Sequence, residues 1–150
     1  MKKFAKLFAV VLAAVTVCTV FVGCSARTPA TADSFKKVAQ SQGFKVGAGS
    51  PSASGATPSV AATKDESDTE IDFYLFPDGN TAQQQYETLK QSAAPNGGGT
   101  STDSSAYNRY VLTNGELYYN IIRMDDTLIY CQATVTNKDE VDNFIKAIKY

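Results

Sequence analysis

The sequence has no histidine and no tryptophan among its 150 residues, and only three cysteines. Without histidine it lacks the commonest general base and the commonest transition-metal ligand, which excludes serine triads and the usual zinc sites. No Walker loop, dinucleotide fingerprint or Cys-x-x-Cys pair is present. Lys and Arg form no cluster, so nothing provides the electrostatic footprint of a nucleic-acid binder. After Val22 no apolar run approaches the ~18 residues that mark a membrane-crossing helix.

The one long apolar run lies at the start. Lys2, Lys3 and Lys6 precede an almost unbroken stretch from Leu7 to Val22, followed by Gly23 and Cys24. A charged segment, an apolar segment and a small residue before a cut is the pattern of an export signal. The run ends at Gly-Cys and not at a second basic flank, which argues against a permanent transmembrane helix. Phe21, Val22, Gly23 and Cys24 resemble the lipobox of bacterial lipoprotein signals, with Phe21 where that family usually carries Leu. Cys18 does not fit, because the bulky, β-branched Val17 precedes it.

The resemblance implies that a diacylglyceryl group is added to the Cys24 thiol and that residues 1–23 are then removed. More than one acyl chain is needed for durable attachment, and a lipoprotein cysteine carries two or three. The expected location is the outer face of the cell membrane, with no cofactor beyond that covalent lipid. The three signal lysines leave and all 15 acidic residues stay, so the remaining part carries a net charge of −4. Its length suits one domain on a short tether, residues 24–30, with the domain over 31–150. Cys131 alone cannot form an internal disulfide, and its apolar strand pattern predicts a buried, inert thiol.

Within the domain, Ala32, Phe35, Val38 and Ala39 share one face of a helix over about 32–42, capped by Thr31 or Asp33 and stopped by Gly43. Phe44 to Val46 can begin a strand. Residues 47–63 read as a flexible loop with a weak strand near Ser59 to Thr63. Ile71 to Phe76 reads as a firm strand ended by Pro77-Asp78-Gly79. A second helix is predicted over about 81–92, capped by Asn80 with Gln83 at the capping-box position. The glycine-rich segment 94–105 reads as another flexible loop. Tyr107 to Thr113 and Glu116 to Met124 flank Asn114-Gly115, a strong hairpin signal, and Asp125-Asp126 turns the chain into Thr127 to Val135. Asn137 and Glu140 predict a capping box for a last helix bearing Val141, Phe144, Ile145 and Ile148.

The predicted fold is therefore α+β, an antiparallel sheet of about four to five strands with helices packed on it, in the order α-β-β-α-β-β-β-α. The whole pattern from Cys24 onward looks like the small lipoproteins of Gram-positive bacteria, a resemblance that implies no activity. Hairpin register would set Tyr110 opposite Tyr119, Val111 opposite Tyr118, Ile122 opposite Ile129 and Ile121 opposite Tyr130. One sheet face would then be aliphatic. The other would carry Tyr110, Tyr119, Arg123, Tyr130 and Gln132, side chains with apolar bodies and polar tips that suit a recognition surface if the face is open; the alternative is that the remaining helices cover it or that the tyrosines are there as good strand formers. Those five are the candidate binding residues.

The acids offer less. Asp68, Glu70 and Asp72 alternate as in a calcium loop, but Phe73 stands where that loop needs Gly and Gly79 where it needs its closing Glu. The run reads as the solvated start of a strand. Asp125 and Asp126 read as turn formers, and Asp139 and Glu140 as acids suited to a helix N-terminus. No metal site is predicted. With no catalytic motif, two function classes remain, a binding module for a ligand, envelope polymer or protein partner and a structural or accessory envelope lipoprotein, ahead of a hydrolase.

Overall fold

The computed structural model describes residues 27–49 and 55–150. The expected export signal over residues 1–23 and the expected lipid site at Cys24 lie outside the described residues. The element order is α1 (Ala32–Ser41), β1 (Lys45–Ala48), β2 (Ser59–Lys64), β3 (Ser67–Leu75), α2 (Gly79–Ala93), β4 (Thr100–Asp103), β5 (Tyr107–Asn114), β6 (Leu117–Met124), β7 (Thr127–Thr134), a short 3₁₀ turn (Val135–Asn137) and α3 (Lys138–Ile148). The strands form one antiparallel sheet in the order β1-β2-β3-β7-β6-β5-β4. Two meanders, β1–β3 and β4–β7, thus meet where β3 pairs with β7, and α2 connects them across one face.

The α+β class agrees with the sequence reading, but the sheet has seven strands and not four or five. The additional pairing comes from segments too poor in large apolar residues to announce themselves. Lys45–Ala48 pairs with β2, and Thr100–Asp103, inside the predicted loop 94–105, pairs with β5 as the far edge. Both edge strands are short and mostly exposed, as edges that resist further pairing tend to be.

Helix caps show which local signals won. Thr31 and Ser34 form a reciprocal capping box at α1, with Ser34 N–H donating to Thr31 Oγ1 at 3.1 Å and Thr31 N–H to Ser34 Oγ at 2.9 Å. Helix α2 starts two residues earlier than predicted, because Asp78 and not Asn80 is its cap, its Oδ1 accepting from Thr81 N–H at 2.8 Å. The expected capping box of α3 is absent. Glu140 instead accepts from Lys64 Nζ, Ser67 Oγ and Thr69 Oγ1, each at 3.0 Å, and so ties the β2–β3 hairpin to the helix. A charge-assisted, three-donor site outcompetes one exposed backbone N–H.

The β6–β7 register is the predicted one. The β5–β6 register is shifted by two, with Tyr110 opposite Ile121, Leu112 opposite Tyr119 and Asn114 opposite Leu117. The turn residues are therefore Gly115-Glu116, with the left-handed φ of 61° at the first of them, the pattern of a two-residue turn with glycine leading. A shift of two preserves which side chains share a face, so the predicted division of the sheet survives.

On the aliphatic face α1 and α3 pack together over Ile71, Phe73, Ile122, Ile129, Cys131 and Ala133, contributing Phe35, Ala39, Val141, Phe144 and Ile145. Phe144 stands edge-on to both Phe35 and Phe44, at centroid distances of 5.2 and 5.9 Å. Cys131 is fully enclosed there, and burial pushes its thiol pKa up, so it stays protonated. Val135, predicted as the last residue of the strand from Thr127, instead sits exposed in the 3₁₀ turn. On the other face α2 covers Tyr74, Phe76, Tyr110, Leu112, Ile121 and Leu128 with Ala82, Tyr86 and Ala93.

Candidate functional site

Helix α2 crosses the tyrosine face mainly above β6 and β7, and it divides the five predicted site residues into two sets. Tyr110 and Arg123 are sealed, at 1% and 3% exposure. Tyr119, Tyr130 and Gln132 remain half-buried. Helix cover thus accounts for Tyr110 and Arg123, and the face stays open only as a patch around Tyr119, Tyr130 and Gln132.

The sealed pair serves the fold. Tyr110 donates its hydroxyl to the Gly98 carbonyl at 2.8 Å, and the glycine-rich segment lies against its ring. Gly99 has a φ of +73°, and a Cβ there would fall 2.6 Å from Tyr110 Cε2, so no larger residue fits. Of the three consecutive glycines, which in the sequence read as slack, Gly98 and Gly99 lie against Leu112 and Tyr110. Arg123 is buried with no carboxylate ion-paired to it among the described residues. It donates to Asn108 Oδ1 at 2.6 Å, to the Asp125 carbonyl at 2.9 Å and to the Ser105 carbonyl at 2.8 Å. Asn108 passes the contact on by donating to Asp103 Oδ1 at 2.8 Å. The guanidinium thereby fastens the β4–β5 edge and the β6–β7 turn, and the donors it spends are taken up within the fold.

The open set is positioned by strand register. Glu70, Gln132 and Tyr119 lie side by side on β3, β7 and β6, and Asp72, Tyr130 and Ile121 form the next row. Since adjacent strands are ~4.8 Å apart, the tyrosine pair and three acidic or amide groups share one patch. The Tyr119 and Tyr130 rings are tilted to one another with centroids 6.4 Å apart. Tyr130 donates its hydroxyl to Gln132 Oε1 at 2.9 Å. Burial, then the neighbouring Tyr119, Glu70 and Asp72, raise the Tyr130 pKa, so its phenol stays neutral and able to donate.

Asp72 forms the floor of this patch, and the sequence reading missed it. Instead of a solvated strand start it is a carboxylate only 3% exposed. Tyr74 donates to its Oδ2 at 3.1 Å, while Oδ1 has no hydrogen-bond partner among the described residues. Burial, with a smaller push from the Glu70 charge, raises its pKa from 3.8 to about 6 against the opposing Tyr74 hydrogen bond. Leaving a buried carboxylate oxygen unmatched costs stability, and such groups concentrate where a protein binds or reacts. The sequence did hold a signal. Asp72 falls between Ile71 and Phe73 in the most apolar strand of the first half, where a purely solvated acid is out of place.

Chemically, the patch offers two phenolic rings with apolar faces, one amide, one exposed carboxylate from Glu70 and one buried carboxylate. Such a set can stack on a flat apolar ring face and exchange hydrogen bonds with hydroxyls around it. No group of three or more acidic or cysteine side chains that could hold a metal ion occurs among the described residues.

No protein-family model matches the chain, and no curated protein sequence matches it significantly. Solved structures do resemble its fold. One is the crystal structure of a GTP binding regulator from Thermotoga maritima, with a TM-score of 0.51 at 10% sequence identity, covering 79% of this chain and 84% of that chain. At that identity the likeness is one of architecture.

Proposed function

We propose that the chain is a lipoprotein of the extracytoplasmic membrane face, anchored by diacylglycerol on Cys24, and that it acts as a binding module and not as an enzyme. The observation that carries the binding role is the incomplete cover of the tyrosine face. Tyr119 and Tyr130 stay half-open beside Gln132 and Glu70, directly above a buried, half-satisfied Asp72. The ligand class that suits these groups is a hydroxyl-rich ring compound such as an envelope glycan, stacked on the phenols and donating to the carboxylates. The anchor is supported by the Phe21-Val22-Gly23-Cys24 sequence, and no helix among the described residues is long and apolar enough to cross a membrane. Guanine-nucleotide binding is not proposed, since the sequence has no Gly-rich phosphate loop.

Two measurements test the two halves of the proposal. Cells fed labelled palmitate should label the wild-type chain and leave Cys24→Ala unlabelled and absent from the membrane fraction. Equal labelling would dismiss the anchor. Purified protein should be retained by envelope glycan, and the Tyr119→Ala, Gln132→Ala double variant should not. Equal retention would dismiss the patch. A structural role through protein contacts is the second reading, favoured by the fully exposed edge strand β4. A partner lost on Thr102→Pro and kept in the double variant would select it.

A further inference from the structure

The first described residues of the chain are fastened at one place. Ala30 N–H donates to Tyr150 Oη at 2.9 Å, Tyr150 Oη is also hydrogen-bonded to Thr127 Oγ1, and the Arg27 guanidinium sits 4.8 Å above the Tyr107 ring. Arg27 is three residues from Cys24, a span of at most about 11 Å. Whatever holds Cys24 is therefore held close to Tyr107.

Tyr107 and Arg109 share the same face of β5, on the side of the sheet where α1 and α3 pack. These helices lie over the middle of the sheet, and beside α3 a groove of about 440 Å³ opens above β5, lined by Arg109, Tyr118, Lys138, Asp142, Lys146 and Tyr150 among others. Its charged side chains are three cations and one carboxylate. Asp142 is already engaged, accepting from Tyr118 Oη at 2.7 Å and from Lys138. Arg109 spends only its Nε, on Asn120 Oδ1 at 3.2 Å, and neither its terminal nitrogens nor Lys146 has a hydrogen-bond or ion-pair partner among the described residues. The groove thus presents unmatched positive charge in a domain whose net charge is negative, and Tyr150 belongs both to the groove and to the fastening of the tether.

We propose that this groove binds the phosphate of an anionic phospholipid headgroup and so fixes the orientation of the domain on the membrane. The proposal rests on the reading of Cys24 as the anchor for where the groove lies. Its chemistry rests on the guanidinium, whose free N–H fork fits a phosphate, and on Lys146 as a second, mobile charge. Docking there turns the tyrosine patch, on the opposite face of the sheet, away from the bilayer and toward the envelope.

The test bypasses cellular lipidation, so that its failure is distinct from failure of the anchor. Both core clusters are built wholly from residues of Ala30 onward, so the chain from Cys24 to Tyr150 is used alone. It is coupled through the Cys24 thiol to a maleimide lipid in vesicles, the buried Cys131 being inaccessible. Acetylation of Lys146 is followed by mass spectrometry against Lys90, which lies on α2 across the sheet. With phosphatidylglycerol in the vesicles, Lys146 should react about fivefold more slowly relative to Lys90 than on phosphatidylcholine alone. Arg109→Gln should abolish that protection, while its thermal midpoint, read alongside, reports separately the cost of taking the Arg109 bond from the buried Asn120. Equal rates on the two vesicles overturn the proposal, as does protection that survives in Arg109→Gln. Protection produced by dissolved glycerol phosphate but not by phosphatidylglycerol also overturns it, assigning the groove to a free phosphate.

Discussion

The two faces of the sheet are closed by different means. Under α1 and α3 the contacts are between aromatic rings and aliphatic chains, and the polar groups included there are matched. Asn120 bonds Arg109 and Tyr118, Thr127 bonds the Met124 carbonyl and Tyr150, and Thr69 bonds Glu140. Under α2 the cover is a single helix, the filling includes Tyr74, Tyr86 and Tyr110, and Asp72 is left half-satisfied. Beneath the two helices, the first face has the composition of a core that only has to hold, and its one charged groove lies beside α3. The second leaves one carboxylate oxygen unmatched and two phenols half-open, as the proposed recognition surface would require.

Substitutions that strike one face and not the other test this contrast. The largest loss should come from Phe144→Ala. The ring is wholly buried against Phe35 and Phe44, and removing a buried Phe costs about 3–5 kcal/mol. Urea denaturation should show the midpoint fall accordingly. A loss under about 1 kcal/mol would mean that the helix-pair face is not the main source of stability.

Asp72→Asn should act in the opposite direction. The carboxyl pKa is 3.8 when unfolded and about 6 in the folded chain, so the folded state holds its proton more tightly. Its contribution to stability is fully present below pH 3.8 and is lost as pH rises through about 6. Above that range the charged, buried group costs up to about 3 kcal/mol. The Asn variant should therefore be more stable at pH 7, and wild type should show a downward slope between pH 4 and 6 that the variant lacks. Parallel pH profiles would show that Asp72 is ordinarily solvated.

Gly99→Ala should be intermediate and confined to the tyrosine face. A left-handed φ disfavours any Cβ and the Tyr110 ring leaves no room for one, a combined cost of about 2 kcal/mol. Amide hydrogen exchange should rise along β4 and β5 and stay unchanged in α1 and α3.

The sequence was most legible where large apolar residues repeat at regular spacing. The periodicity of α1 and α3, the strand Ile71 to Phe76 and the β6–β7 register all follow from that pattern. It was least legible where structure depends on what a neighbour supplies. Thr100–Asp103 has no apolar signal and becomes a strand because β5 offers it an unpaired edge. Asn114-Gly115 marks the right turn, yet placing glycine first and not second moved the pairing by two residues. Glu140 followed the capping pattern locally, and only the distant Lys64, Ser67 and Thr69 redirected it. The site was half legible for the same reason. Alternation gave the correct face for Tyr110, Tyr119, Arg123, Tyr130 and Gln132, but where α2 crosses that face, and hence which of the five stay open, is a tertiary fact. Asp72 stayed hidden because an acid next to Glu70 and Asp68 looks solvated until β2 and β7 are seen on either side of it.

The smallest stability change should separate the two faces most sharply. Tyr119 is half-open, and its ring contact with Tyr130, at 6.4 Å, is near the outer limit for aromatic pairs. Tyr119→Ala should therefore cost less than about 1 kcal/mol in unfolding free energy. If the tyrosine face exists for recognition, the same change should remove glycan retention while thermal and urea midpoints barely move. If it exists for packing, the midpoints should fall by about 2 kcal/mol or more and retention should follow only the loss of folded protein. The ratio of lost binding to lost stability at this residue measures how far the face departs from a core, and at Phe144, on the other side of the sheet, that ratio should be near zero.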